Sequence, residues 1–73
     1  MNGKYRITSD FIEIEGDTYK TYGIEYETEN KVICGIKDIT LNYSDIKSLC
    51  NLLNRNNVSI VHFFDIIEDF MVK

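Results

Sequence analysis

One histidine and two aspartates recur at helical spacing near the end of the chain. Asp65 follows His62 by three positions and Asp69 comes one turn later, so a helix would place an imidazole and two carboxylates along one ridge. Metal sites need three or four converging ligands, and an acid–base site needs a cleft and a nucleophile. The spacing therefore leaves two interpretations open: a metal or small-ligand site near His62 and Asp65, or a solvated polar face.

Glutamates alternate along a second stretch, at Glu25, Glu27 and Glu29. In a strand this alternation places them on one face. An oxygen-ligated cation would use such carboxylates, but a solvated acidic patch is the more common arrangement. We therefore predict a non-enzymatic protein with no catalytic residue, no metal and no cofactor.

Tyrosine is the more suggestive residue type, with five in 73 residues. Its ring joins a large apolar area to a polar end, which suits interfaces. If two or more of the tyrosines are exposed on the uncovered face of a sheet, that face is a candidate contact surface, and the edge strands of the sheet could also add a partner strand. The predicted functional surface consists of His62, Asp65, Asp69, Tyr19, Tyr22 and Tyr26.

The charge balance limits the partners. Twelve acidic residues against eight basic ones give a net charge of −4, which argues against binding to phosphate backbones. No stretch approaches the ~20 apolar residues that span a bilayer. We expect a cytoplasmic protein whose partner is another protein or a second copy of itself, with no nucleic acid and no membrane.

Two cysteines, Cys34 and Cys50, leave a further alternative. A core of this size supplies only about 3 to 5 kcal/mol, so a crosslink would help. There is no CxxC motif and no histidine cluster to complete a zinc site. The cysteines are either two buried thiols or one Cys34–Cys50 disulfide.

Residues 1–40 show the period of two that is typical of β-strands, interrupted by polar turns. The first strand changes phase, which predicts a bulge or a bend near residues 9–11. Gly16 and Asn30 are the turn residues best able to adopt a positive φ. Turns this short connect antiparallel neighbours, so we predict a three-stranded meander.

From residue 41 the period becomes 3.6. Asn42 is a good N-cap for a helix over residues 42–57, and a second, more apolar helix follows over residues 59–72, with Ser59 as its N-cap. Both helices have apolar surface that only the sheet can cover. The predicted fold class is α+β: a βββαα two-layer arrangement with both helices on one face, in a single domain over residues 1–73.

Three segments carry a resemblance to a known family: YGI, CGIKDIT and LCNLLNRNNVSIVHFFDIIEDFM. In this order they resemble a family of short uncharacterised proteins from spore-forming Gram-positive bacteria, known only as a domain of unknown function. The resemblance covers most of the chain from Tyr22 onward and is densest over residues 58–70. It implies a small cytosolic bacterial protein and carries no activity, cofactor or residue role.

Three hypotheses of function follow from these observations. The first is a non-enzymatic interaction or regulatory module, in one form a homodimer that buries otherwise exposed apolar area. The second is a metal or small-ligand site near His62 and Asp65. The third is an acidic inhibitor that occupies the basic groove of a nucleic-acid-binding protein.

Overall fold

The computed structural model describes residues 3–72 and has the predicted α+β, βββαα arrangement. Its elements, in chain order, are β1 (Lys4–Ile14), β2 (Asp17–Thr28), β3 (Lys31–Thr40), α1 (Tyr43–Arg55) and α2 (Ile60–Val72). The strands form one antiparallel sheet in the order β1-β2-β3. Met1, Asn2 and Lys73, which the predicted domain range includes, lie outside the described residues.

Both hairpin turns are as short as a hairpin allows. Ile14 pairs with Asp17, so β1 and β2 are joined by two residues, Glu15 with φ of 50° and Gly16 with φ of 86°. The β2–β3 turn repeats this geometry, with φ of 50° at Glu29 and 64° at Asn30. Two successive positive φ angles are the signature of the turn that matches strand twist in a two-residue hairpin. The predicted roles of Gly16 and Asn30 are confirmed.

The predicted bulge in β1 is wrong. β1 pairs with β2 without interruption from Lys4 opposite Glu27 to Ile14 opposite Asp17. Phe11 lies on the same face as Tyr5, as its odd position requires, but it is 72% exposed. The change of phase therefore reflects apolar side chains on both faces of an uncovered stretch, and not a bulge.

The irregularities are in β3 instead, where Ile33 is one extra residue opposite Tyr26 and Glu27, and a larger bulge follows. Between Ile36, opposite Ile24, and Thr40, opposite Tyr22, β3 has three residues where β2 has one, and Asp38 has φ of 56°. The displaced backbone lies so close to Gly23 that any Cβ there would collide with the Ile36 carbonyl oxygen. A hydrogen bond of 2.6 Å from the Thr21 hydroxyl to Asp38 Oδ1 holds the bulge over β2.

The core lies between one face of the sheet and the two helices. The amide nitrogen of Asp45 donates to Asn42 Oδ1 at 3.0 Å, which confirms Asn42 as the N-cap of α1. From there α1 and α2 each direct one apolar stripe at the sheet. The buried cluster consists of Tyr5, Ile24, Ile39, Ile46, Cys50, Leu53, Phe63 and Ile67.

Candidate interaction surface

The polar ridge predicted on α2 is exposed. His62, Asp65 and Asp69 all lie away from the buried side chains of Phe63 and Ile67, and helical geometry of ~100° per residue places them within an arc of about 60°. Among residues 3–72 no three histidine, cysteine or acidic side chains converge on a point that would hold a metal ion. A ligand site here would therefore depend on exposed side chains of a single helix.

Concave surface is found elsewhere. A depression of about 300 Å³ is lined by Gly3, Tyr5, Tyr26, Leu53, Asn54, Asn57, Val58 and Ser59. Its volume is at the low end of the range of small-molecule sites, and it contains none of the three ridge residues. Only Asp69 of the ridge borders a shallow groove, which lies between the helices beside Leu49 and Phe70.

The predicted tyrosines do not share one surface. Tyr22 and Tyr26 face the helices and pack against the core. The ring of Tyr26 lies 4.8 Å from that of Tyr5, and the ring of Tyr22 meets that of Tyr43 edge-on at 5.3 Å. Tyr19 has the opposite parity, so it lies on the face that the helices leave open, and it is 41% exposed.

The acidic face of β2 is partly neutralised. Arg6 of β1 donates from Nη2 to Glu25 Oε1, and its Nε lies 3.2 Å from Glu27 Oε1. The hydrogen bond to Glu25, with the charges of both carboxylates, raises the pKa of the guanidinium. The predicted acidic patch is therefore an arginine-bridged pair, so these carboxylates already have a cation.

Tyr5 makes more connections between the layers than the sequence suggested. Its amide nitrogen donates to Asn54 Oδ1 at 2.7 Å, and Asn54 Nδ2 donates to its carbonyl oxygen at 2.9 Å. Its hydroxyl donates to the carbonyl oxygen of Val58 at 2.6 Å, and its ring lies 4.9 Å from that of Phe63. Burial raises the pKa of Tyr5 to about 12. This one residue thus ties the start of β1 to both helices.

The two bonds from Asn54 also show how the outer edge of β1 is oriented. They reach the Tyr5 backbone from the side away from β2, where a fourth strand would lie. Because backbone groups alternate in direction along an antiparallel strand, Ile7, Ser9, Phe11 and Glu13 also direct their N–H and C=O groups outward. Within residues 3–72, no turn or side-chain hydrogen bond reaches those groups.

The far half of the β1–β2 hairpin, residues 10–20, extends beyond β3 and beyond the cover of the helices. We call it the arm. β3 pairs with β2 only as far as Tyr22, so the arm has two strands where the rest of the sheet has three. It carries exposed apolar side chains on both faces, with Phe11 on the helix side and Ile14 and Tyr19 on the other.

α2 carries a second exposed apolar surface. Val61, Phe64 and Met71 are 72%, 45% and 51% exposed, and their spacing of three and seven places them on one side of the helix. Glu68 completes the stripe between Phe64 and Met71. We call this set the α2 stripe. It differs from the arm in its charge, because no lysine or arginine lies between Ile60 and Val72.

Both thiols are free. Cys50 is buried, where its thiol lies 3.4 Å from the Tyr5 carbonyl oxygen, and Cys34 is half-buried. Burial raises the pKa of each, so the thiolate, which is the reactive form, is disfavoured in both. The structure has the alternative with two thiols and not the disulfide.

Sequence reasoning missed the roles of Asn54 and Phe11, and it allowed strand addition at an edge without singling out the outer edge of β1. Asn54 looked like one of several polar residues at the end of a helix, and nothing local indicates that its amide reaches a strand 49 positions away. Phe11 did leave a signal, the change of phase in β1, but that signal was interpreted as a bulge. Exposure of a strand edge depends on what packs beside it.

Comparison with known proteins gives a family and no activity. No described helix has the length and apolar character to cross a bilayer. No curated protein and no solved structure matches the chain. One family model covers residues 1–73. The chain belongs to the family of unknown function DUF6514.

Proposed function

We propose that this protein is a non-enzymatic interaction module, which acts by joining its exposed apolar surface to another protein, a second copy of itself included. We place it in the cytoplasm of a spore-forming Gram-positive bacterium. The resemblance over residues 58–70 supports that source, and the two free thiols suit a reducing compartment.

The arm is the observation that carries the proposal. A two-stranded hairpin is at best marginally stable in water, and it gains stability from a third strand or a covering layer. Residues 10–20 have neither, yet they place Phe11, Ile14 and Tyr19 in solvent. A protein surface that covered the arm would supply the missing layer. Exposed apolar patches on small proteins mark such contacts.

Light scattering and affinity capture test the proposal together. The protein is measured over a wide concentration range and is also used as bait in cell extract, beside the double variant Phe11→Ser, Tyr19→Ser. We expect either self-association or a captured protein with the wild type, and a loss of both with the variant. A monodisperse wild-type monomer that captures the same proteins as the variant would contradict the proposal.

A second candidate function rests on the α2 stripe. Glu68 lies within the stripe of exposed apolar side chains, Asp65 and Asp69 lie along one side of it, and α2 has no lysine or arginine to offset them. Such a surface complements an apolar groove that has basic side chains along one side. This arrangement supports an acidic inhibitor of a nucleic-acid-binding protein.

Salt dependence distinguishes the second candidate from the first. Attraction between exposed charges weakens as ionic strength rises, because the Debye length falls from ~10 Å at 0.1 M to ~3 Å at 1 M. Capture through the α2 stripe should therefore weaken steeply with salt and with the variant Glu68→Lys. Capture that is unchanged by salt, and by Glu68→Lys, would exclude this second candidate.

A further inference from the structure

We infer that two copies of this chain join through the outer edges of β1, antiparallel and about a two-fold axis at Phe11, so that their arms form one four-stranded sheet. The inference rests on the proposed function and names its partner and its contact. It is carried by the limits of the free edge, the charges along it and the missing third strand of the arm.

The free edge has defined ends. At one end Asn54 occupies the outward groups of Tyr5, and Ile7 and Thr8 are half-buried beside it. At the other end the chain turns at Glu15. Every residue from 9 to 13 except the half-buried Ile12 is exposed. The midpoint of this segment is Phe11, and its backbone N–H and C=O point outward.

Charge and the Asn54 amide disfavour two registers close to the one centred on Phe11. In that register Phe11 pairs with the partner's Phe11, Asp10 lies opposite the partner's Ile12, and no two like charges are directly opposed. A register centred on Asp10 would place two carboxylates opposite each other, which destabilises a strand pair. A register centred on Ser9 would carry the partner's Glu13 to Tyr5, where the Asn54 amide already lies.

The arm explains why a second copy suits this edge. Each arm lacks a third strand, and in the paired form the partner's β1 becomes that strand for both copies at once. Three pairs of outward-facing residues exchange backbone hydrogen bonds, with Phe11 on the axis and Ser9 opposite Glu13 on either side. The pairing also brings together two Phe11 rings, each 72% exposed in the single chain.

The edge formed by β3 is unsuited to the same role. β3 loses its register between Ile36 and Thr40, where Asp38 has a positive φ. A bulge of this kind twists an edge strand away from further pairing, and proteins use it to protect exposed edges. Pairing along the β3 edge is therefore disfavoured by comparison with β1.

The test combines mass measurement with two variants of the whole chain. Light scattering should show particles of twice the 8.5 kDa chain mass at high concentration. Ser9→Pro removes an outward N–H and places a ring in the path of the partner, while proline at an edge leaves the β1–β2 ladder intact. We expect it to raise the dimer dissociation constant by about tenfold or more. Leu41→Ala, which shortens an exposed apolar side chain outside the arm and the α2 stripe, is the matched control and should leave the constant unchanged.

Crosslinking tests the register. In a Cys34→Ser background, Phe11→Cys should form a covalent dimer with oxidised glutathione, because paired antiparallel residues have Cα atoms ~5.5 Å apart, within disulfide range. Tyr19→Cys in the same background is the control. Residue 19 lies on β2, and the two β2 strands of the dimer are separated by three strand spacings of ~4.8 Å each. The two residues are therefore at least about 14 Å apart, too far for a disulfide.

The outcomes separate this inference from the proposed function. A dimer that persists in Ser9→Pro and gives no crosslink at residue 11 overturns the pairing, while self-association stands. A monomer at all concentrations that still captures a protein through the arm overturns the second copy as partner. A monomer that captures nothing overturns both. The circular dichroism spectrum of Ser9→Pro must match that of the wild type, which shows that the variant is folded. If the spectra differ, the crosslink at residue 11 alone tests the pairing.

Discussion

The two ends of β1 belong to one strand on one edge of one sheet, yet their surroundings are opposite. At Tyr5 the side chain is 4% exposed, and a side-chain amide from α1 bonds both outward backbone groups. Six positions later Phe11 has the same parity and the same outward backbone, but it is 72% exposed. The two ends differ because α1 covers β1 at Tyr5 and does not cover it at Phe11.

The comparison shows that an edge strand can be closed without another strand. An Asn side chain carries one acceptor and one donor group, so it can satisfy the N–H and the C=O of a single residue as a neighbouring strand would. Closure by Asn54 extends over one residue only. Where it ends, β1 again presents free backbone groups, which are a template for another chain.

The largest expected effect is at the closed end. Phe63 is fully buried and lies 4.9 Å from the ring of Tyr5. Phe63→Ala should cost about 3 to 5 kcal/mol, which is comparable with the whole stability of a small domain, so we expect a largely unfolded chain. Phe64→Ala, at the next position and 45% exposed, should cost under about 1 kcal/mol. Chemical denaturation followed by circular dichroism measures both, and equal losses would mean that α2 is rotated.

The next effect concerns the closing amide itself. Within residues 3–72, Asn54→Ala removes the only side-chain partner of the Tyr5 N–H and leaves the Tyr5 carbonyl oxygen with the Cys50 thiol alone, and we expect a loss of about 1 to 2 kcal/mol. Asn51→Ala removes the same side chain one turn earlier, at an exposed position, and should change the free energy of unfolding by less than about 0.5 kcal/mol. If the two variants are equally stable, Asn54 does not close the edge.

A pH effect should report on Tyr5. Burial raises its pKa to about 12 in the folded chain, against about 10 for an unfolded tyrosine. The contribution of Tyr5 is therefore complete below pH ~10 and is lost as the pH rises through ~12, because the unfolded chain ionises first. Tyr5→Phe should flatten this decline. It should also cost about 1 kcal/mol near pH 7 through the lost hydrogen bond to Val58.

Comparison of the two denaturation series isolates Tyr5. The thiols of Cys34 and Cys50, whose pKa values are also raised, lower the stability of both proteins alike as the pH increases. Curves for the wild type and for Tyr5→Phe that stay parallel from pH 9 to pH 12 would contradict a buried, protonated Tyr5 in the folded state.

The smallest expected effect on stability is at the open end. Phe11→Ala, measured at a concentration where the chain is monomeric, should change the free energy of unfolding by less than about 0.5 kcal/mol, since a 72% exposed side chain leaves little buried area to lose. The same variant should weaken dimerisation. A loss above about 1 kcal/mol in the monomer would show that Phe11 packs against the chain itself.

Most of the fold followed from local patterns. Period-two alternation, the turn residues Gly16 and Asn30 and the N-cap Asn42 each act within a few positions, so they predicted the meander and the start of α1 correctly. Sheet order followed too, because short turns allow only neighbouring antiparallel strands. The bulge was assigned to β1 and lies in β3, since a bulge depends on the fit between two strands.

The candidate site was less predictable for the same reason. Exposure of His62, Asp65 and Asp69 agreed with their polar positions on α2. The tyrosines do not form one surface, because Tyr19 lies on one face of β2 and Tyr22 and Tyr26 lie on the other. The helices cover only the face with Tyr22 and Tyr26. Parity along a strand places residues on a face, but it does not say which face is covered.

The sequence by itself determined the element order, the turns, the acidic charge and the apolar stripes that form the core, because these depend on residue types at short spacing. Only the tertiary structure decided that Asn54 reaches the backbone of Tyr5, that β3 bulges over Gly23 and that α1 ends its cover before Phe11. Each of these depends on where a rigid element stops relative to another far along the chain. The outer edge of β1 is open near Phe11 because α1 ends before it reaches that part of the strand.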